Sequence, residues 1–163
     1  MQKQDYKGIW IYAEHRNGKL DAAVYELLGK AQELKAFCKE EITAVLLGNN
    51  VSALSDELIA CGADRVIIAE DPALAEYSAR PYQKALTQLV NKYKPSMLIY
   101  GATTQGRDLA PRMMVSLKTG LTADAIDLGF DEDGDFCQTT PGYGGKILAH
   151  IVIPECRPQM VTV

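Results

Sequence analysis

The sequence predicts an α/β fold: a parallel, doubly wound sheet of the nucleotide-binding type, extended by antiparallel strands toward the C-terminal end. Three observations predict it. Short apolar, β-rich runs alternate with amphipathic segments whose apolar residues recur every three or four positions, the period of a helix with one buried face. The strand runs, such as AVLLG and MLIYG, are apolar at consecutive positions, as strands covered by helices on both sides must be. After Gly120 the helical period disappears, and strand-like segments are divided only by turn residues.

GIWIYAE, 8 to 14, is the first strand, and the segment after it carries Leu20, Ala23, Val24, Leu27, Leu28, Ala31, Leu34 and Phe37 at helical spacing. ITAVLLG, 42 to 48, precedes a second helix in VSALSDELIACGA, which Gly62 is placed to end in the left-handed conformation. RVIIAE, 65 to 70, precedes a third helix from about Arg80 to Tyr93. Lys94-Pro95 then breaks the chain before SMLIYGA, 96 to 102. Right-handed crossovers make these four strands parallel. LTADAIDLGFD, DFCQTTPGYGG and KILAHIVIPE read as antiparallel strands that extend or flank that sheet. QMVTV reads as a further strand in which the chain stops, as at the boundary of a longer protein.

Residues 1 to 163 are the length of one α/β domain, enough to bury roughly two-thirds of the surface of the unfolded chain. With 47% hydrophobic and 23% charged residues the composition is that of a globular domain. Seventeen Lys and Arg against 21 Asp and Glu give a net charge of -4, which supplies no footprint for nucleic acid. Cys38, Cys61, Cys137 and Cys156 contain no C-x-x-C pair, so they are expected to be reduced thiols filling core space. The start, MQKQDYKGIW, has no apolar leader, and no stretch is long enough to span a membrane; a cytoplasmic location is expected.

In open α/β sheets ligands collect at the carboxyl ends of the strands, where helix N-termini present free amides and partial positive charge. The loop from Glu14 to Lys19 lacks G-x-G-x-x-G, which disfavours a nicotinamide-type site, and its His15 reads as a solvated histidine. His150 reads as a core or sheet-surface residue. A hydrolase built on either histidine lacks a paired nucleophile. Pro141 to Lys146 fails the phosphate-loop pattern, because Thr140 and Ile147 stand where glycine and a hydroxyl are required; it reads as a glycine turn in a hairpin.

The remaining loop, YGATTQGRDLAPRMMVSLKTGL, 100 to 121, is unusually charged. Proline is accepted in the first turn of a helix and costs about 3 kcal/mol or more deeper inside, so Pro111 places the N-cap between Arg107 and Ala110, with Asp108 the best cap. Thr103 to Arg107 then form a loop on the ligand edge. Arg112 stands four residues after Asp108 and can pair with it, but an exposed pair of this kind contributes little. An arginine at a helix N-terminus opposes the macrodipole, so Arg107 is either a ligand or partner contact, or a solvated side chain.

The run GATTQGRDLAPRMMVSLKTGLTAD closely resembles the signature of the electron-transfer flavoprotein α subunit: a Thr-rich loop, Gly-Arg-Asp-Leu-Ala-Pro-Arg and a later Thr-Gly-Leu, in this order. PGYGGKILAHIVIPECRPQMVTV is similar to the segment that closes the amino-terminal domain of that family. The resemblance covers nearly the whole chain and is strongest from Tyr100 to Val163. It implies an adenine-nucleotide-hydrolase-like α/β fold, with 1 to 163 as the amino-terminal domain of the α subunit. It also implies pairing with a β subunit, FAD held mainly by a further carboxy-terminal domain, and AMP or a second FAD possible in the β subunit. Such a protein is an electron carrier and not an enzyme, taking electrons from dehydrogenases such as acyl-CoA dehydrogenases; some members are bifurcating.

Carried over by position, Thr103, Thr104, Gly106 and Arg107 become cofactor-binding candidates, flavin-proximal or at the interface, and Asp108, Arg112, Gly144 and Gly145 become interface candidates. The resemblance implies no catalytic residue and no metal. Thr140, Gly142 and Lys146 depart from the Arg, Ala and Asn common in the family at these positions. The alternative reading is a free-standing universal-stress-type nucleotide-binding module, which needs glycine-rich phosphate contacts that the sequence lacks.

Overall fold

Residues 5 to 163 are described by a computed structural model; residues 1 to 4, the first part of the start read above for a leader, lie outside the described residues. The chain opens with β1 (Ile9–Tyr12), whose four residues are all buried, and a two-residue ribbon of β2 (His15–Arg16) and β3 (Lys19–Leu20). Helix α1 (Ala22–Cys38) begins on Asp21, whose Oδ1 accepts from the amide of Ala23 at 2.9 Å. Then come β4 (Ile42–Gly48), α2 (Ser55–Ala60), β5 (Arg65–Glu70), α3 (Ala79–Tyr93) and β6 (Met97–Tyr100). Gly62 has φ +112° just past α2, the helix-ending role expected of it.

Helix α4 (Thr104–Leu117) leads to β7 (Leu121–Thr122), then to β8 (Asp127–Phe130), β9 (Phe136–Gly142), β10 (Ile147–Val152) and β11 (Gln159–Thr162). The central sheet has six parallel strands in the order β5-β4-β1-β6-β11-β7. Strand order reverses at β1. Helices α1 and α2 carry the chain outward on one side, and α3 brings it back to β6 on the other. Alternation along β1 divides the core accordingly: Ile9 and Ile11 pack with α1 and α2, whereas Trp10 and Tyr12 pack with α3 and α4.

The tail departs in detail from the expected run of antiparallel strands. Strands β8, β9 and β10 form an antiparallel sheet of their own, order β10-β9-β8, flanking the central sheet. Leu128 and Phe136 seat it in the core beside α1, and Phe130 stacks on Phe37 with ring centroids 4.6 Å apart. Strands β7 and β11 instead join the central sheet in parallel, β11 lying between β6 and β7. The reason is connectivity. A parallel neighbour requires a long crossover, and the β8 to β10 excursion supplies it in place of a helix.

The four cysteines are free and only half-buried, so they border the core instead of filling it as the sequence suggests. The 141 to 146 segment is a hairpin turn, as expected, with positive φ at Tyr143, Gly144 and Gly145. His150 lies exposed on β10 with Nδ1 3.1 Å from Thr139 Oγ1, the sheet-surface role expected of it.

Asp64 ties the start of β4 to α1. Its Oδ2 accepts from the amide of Ile42 at 2.8 Å and its Oδ1 meets Lys35 Nζ at 2.5 Å. These bonds, the Lys35 one first, hold the carboxyl below the usual aspartate range. The stabilisation is therefore present above the unfolded pKa and is lost as pH falls through the depressed folded value. Asp64→Ala is expected to cost about 1 kcal/mol at pH 7, because the pair is a third exposed, and almost nothing in strong acid. Urea titrations across pH check both the size and the convergence.

Candidate functional site at the carboxyl edge of the sheet

The strand order has its switch point between β1 and β6, and the charged loop emerges at the carboxyl end of β6, the place where open α/β sheets ordinarily bind ligands. The structure corrects the helix start inferred from Pro111. Helix α4 begins at Thr104, with Thr103 as N-cap: Thr103 Oγ1 accepts from the amide of Gly106 at 3.0 Å. Asp108 is therefore not the cap, and 104 to 107 are helical and not loop. Pro111 sits two turns inside. It is tolerated there because Arg107, whose carbonyl it cannot serve, lies one turn back on the same exposed face, open to hydration. Gly106 makes the early start possible. A Cβ there would stand 1.9 Å from the carbonyl oxygen of Gly101, so only glycine lets the first turn close onto the end of β6.

Three side-chain bonds then fasten α4 to the rest of the edge. Thr103 Oγ1 donates to Glu14 Oε2, across the end of β1. Gln105 Nε2 donates to the phenol oxygen of Tyr12. Tyr77 donates to Asp108 Oδ2 at 2.7 Å, reaching from the segment before α3. Asp108 also pairs with Arg112 at 3.0 Å, the pair anticipated from their spacing. Arg107 points outward, 60% exposed, and its Nε lies 3.0 Å from Asp124 Oδ1. That carboxylate answers the electrostatic conflict of an arginine near a helix N-terminus.

Burial governs the electrostatics. Glu14 is half-buried, and desolvation raises its carboxyl above the usual range against the opposing effect of the Thr103 bond. Burial likewise pushes the phenols of Tyr12, Tyr77 and Tyr100 upward, with the Asp108 carboxylate adding to the effect on Tyr77. These tyrosines stay neutral near pH 7, and Tyr12 and Tyr77 serve as hydrogen-bonding groups. Two buried polar atoms of described residues, Tyr100 Oη and His15 Nδ1, have no partner. His15 is not the solvated histidine expected from its loop: it is half-buried, with Nε2 2.7 Å from the carbonyl oxygen of Leu47.

Thr103, Thr104, Gly106, Arg107, Asp108 and Arg112 thus share the first turns of one helix and its cap, whereas Gly144 and Gly145 lie on the turn of the separate antiparallel sheet. Sequence reasoning missed Glu14, Tyr77 and Asp124, each joined to the helix from far along the chain. Only Glu14 carried a signal, as an acid directly after a buried strand. Among the described residues no group of His, Cys, Asp and Glu could hold a metal ion, and no helix is long and apolar enough to cross a membrane.

A family model described as the electron transfer flavoprotein domain matches residues 9–163, taking in β1, the whole of α4 and the closing strands. The chain belongs to the electron transfer flavoprotein family. Within it, the electron transfer flavoprotein subunit alpha of Thermoanaerobacterium thermosaccharolyticum is 49% identical over 98% of this chain and 48% of that protein. The corresponding subunit of Clostridium acetobutylicum is 47% identical over 100% of this chain and 49% of its own length. The lactate dehydrogenase (NAD(+),ferredoxin) subunit LctC of Acetobacterium woodii is 40% identical over 100% of this chain and 39% of its own. The chain spans about half the length of the curated electron transfer flavoprotein relatives it matches first. Membership in this flavoprotein family disfavours the universal-stress-type alternative.

Proposed function

We propose that this chain is the amino-terminal domain of the α subunit of an FAD-containing electron carrier, and that it serves as scaffold and β-subunit interface. The observation that carries the reading is a family match over 9–163 together with α-subunit relatives about twice as long. In this reading the carrier takes electrons from dehydrogenases, works in the cytoplasm, and has its FAD mainly in the other half of the α subunit. A bifurcating carrier, with a second FAD or AMP in the β subunit, is the narrower version; the name of the Acetobacterium relative favours it.

The carboxyl edge supports a scaffold role. Its residues do not by themselves fit a flavin: the Thr103 hydroxyl is committed to the cap and to Glu14, the space over Gly106 is filled by the Gly101 carbonyl, and Arg107 is bridged to Asp124. Accordingly, Thr103 and Gly106 fix the start of α4 against β6. The exposed Thr104 and Arg107, with Asp108 and Arg112 behind them, face the flavin side or the β subunit, and Gly144 and Gly145 form a second contact.

The purified chain is expected to carry no stoichiometric flavin by visible absorbance, and to co-elute with an electron transfer flavoprotein β subunit. Arg107→Glu is expected to weaken that association about tenfold, an effect of ~1.4 kcal/mol. Tight flavin on the chain alone would remove the scaffold role. Unchanged association of the variant would remove Arg107 from the interface.

A further inference from the structure

We infer that the outward groove between α3 and α4 is a docking site for an acidic segment of a partner protein other than the β subunit. Residues 77 to 118, which take in both helices, contain seven of the chain's 17 Lys and Arg and only one of its 21 Asp and Glu. Charge is therefore segregated, and an otherwise acidic protein turns one basic face to solvent. The single acid of that stretch, Asp108, is already answered by Arg112 and by the Tyr77 hydroxyl. Between the helices lies a shallow groove of about 400 Å³ lined by Arg80, Gln83, Lys84, Thr87, Gln88 and Ser116. Each of these side chains can donate a hydrogen bond, and none is acidic.

The two cations of the groove are held at a cost to the helix. Arg80 stands in the first turn of α3, where a positive charge opposes the macrodipole, and Lys84 follows it four residues on, where like charges repel. Both are exposed, and among the described residues neither meets a carboxylate. A carboxylate brought by another chain relieves both conflicts, and the field of the face steers an acidic protein toward it. A protein suits the face better than nucleic acid does. The rest of the chain holds 20 Asp and Glu against ten Lys and Arg and would repel a long polyanion running past the helices, whereas an acidic segment of a protein can end within the basic face. The groove follows α3 and reaches α4 at its last turn, at Ser116, while the proposed β-subunit contacts lie at the start of α4 and on the hairpin turn. Its occupant is therefore a further protein.

Fluorescence anisotropy with a fluorescein-labelled deca-glutamate peptide, at neutral pH and low salt, is expected to show saturable binding to the 163-residue chain that weakens as salt rises through about 0.15 M. Arg80→Glu is expected to weaken that binding about fivefold and yet to raise the thermal transition, because it suits the helix start and replaces the repulsion from Lys84 with attraction. Arg80→Glu combined with Lys84→Glu is expected to weaken binding by more than about tenfold. Arg16→Glu combined with Lys19→Glu makes the same change of net charge at exposed positions of β2 and β3, and is expected to weaken it less than about twofold. Absence of saturable binding, or equal losses from the two double variants, overturns the inference. Duplex DNA at equal charge concentration is expected to leave the peptide bound; displacement overturns the choice of a protein. A saturating electron transfer flavoprotein β subunit is expected to leave it bound as well, and displacement overturns the assignment to a further partner. The titration of the chain alone is readable whether or not the β subunit associates.

Discussion

Gly106→Ala is expected to destabilise the protein by about 3 kcal/mol, an overpacking cost at the upper end of the usual range. The new methyl carbon would lie 1.9 Å from the Gly101 carbonyl oxygen. The obstacle is backbone at the end of a buried strand, so no side chain can swing aside to relieve it. Either α4 lifts from β6 or its first turn unwinds, and both movements break the Thr103 cap and the Glu14 contact. Gly129→Ala is the matched control, because nothing lies within 4 Å of its Cβ position and its φ is not positive. Its stability is expected to stay within about 0.5 kcal/mol of the parent. Urea midpoints of the two variants, side by side, separate steric exclusion from a general effect of replacing glycine.

Thr103→Val is the second large effect, about 2 kcal/mol near neutral pH. Valine keeps the shape and removes the hydroxyl, which costs the cap about 1 kcal/mol and leaves the half-buried Glu14 carboxylate without its donor. The pH dependence identifies the second part. Burial already raises the folded pKa of Glu14, and loss of the Thr103 bond raises it further. A group with a raised folded pKa favours folding most below its unfolded pKa and loses that advantage as pH rises through the folded value. The deficit of Thr103→Val should therefore be largest near neutrality and shrink toward the cost of the cap alone in acid. Adding Glu14→Gln should flatten that dependence. A deficit constant across pH would mean that Glu14 takes no part.

The strands were the legible part of this sequence. ITAVLLG and RVIIAE coincide with β4 and β5: β4, buried on both faces, shows as a continuous apolar run, and β5, the edge strand with only Ile67 fully buried, shows as a short β-branched run between charged residues. The helix at the candidate site was less legible for a reason particular to Pro111. The cost of an interior proline points to a late helix start, but the actual start depends on a close approach of Gly106 to Gly101 that local preferences do not reveal. The antiparallel tail was legible as strands and not as topology, since parallel entry of β7 and β11 depends on which edge of the sheet remains free once four strands are laid down.

The sequence by itself determined the alternation of strands and helices, the two-sided burial of the sheet and, through GRDLAPR and its flanks, the family. Periodicity and motif are local properties, readable within a window of a few turns. Only the tertiary structure decided what the site residues do. Thr103 reaches Glu14, Tyr77 reaches Asp108 and Arg107 reaches Asp124 across long stretches of chain, and their partners are set by strand order and helix packing. A lone Thr-Thr-Gln-Gly-Arg-Asp run looks like a ligand loop; folded, it is the capped and anchored start of a helix, with Thr104 and Arg107 facing outward.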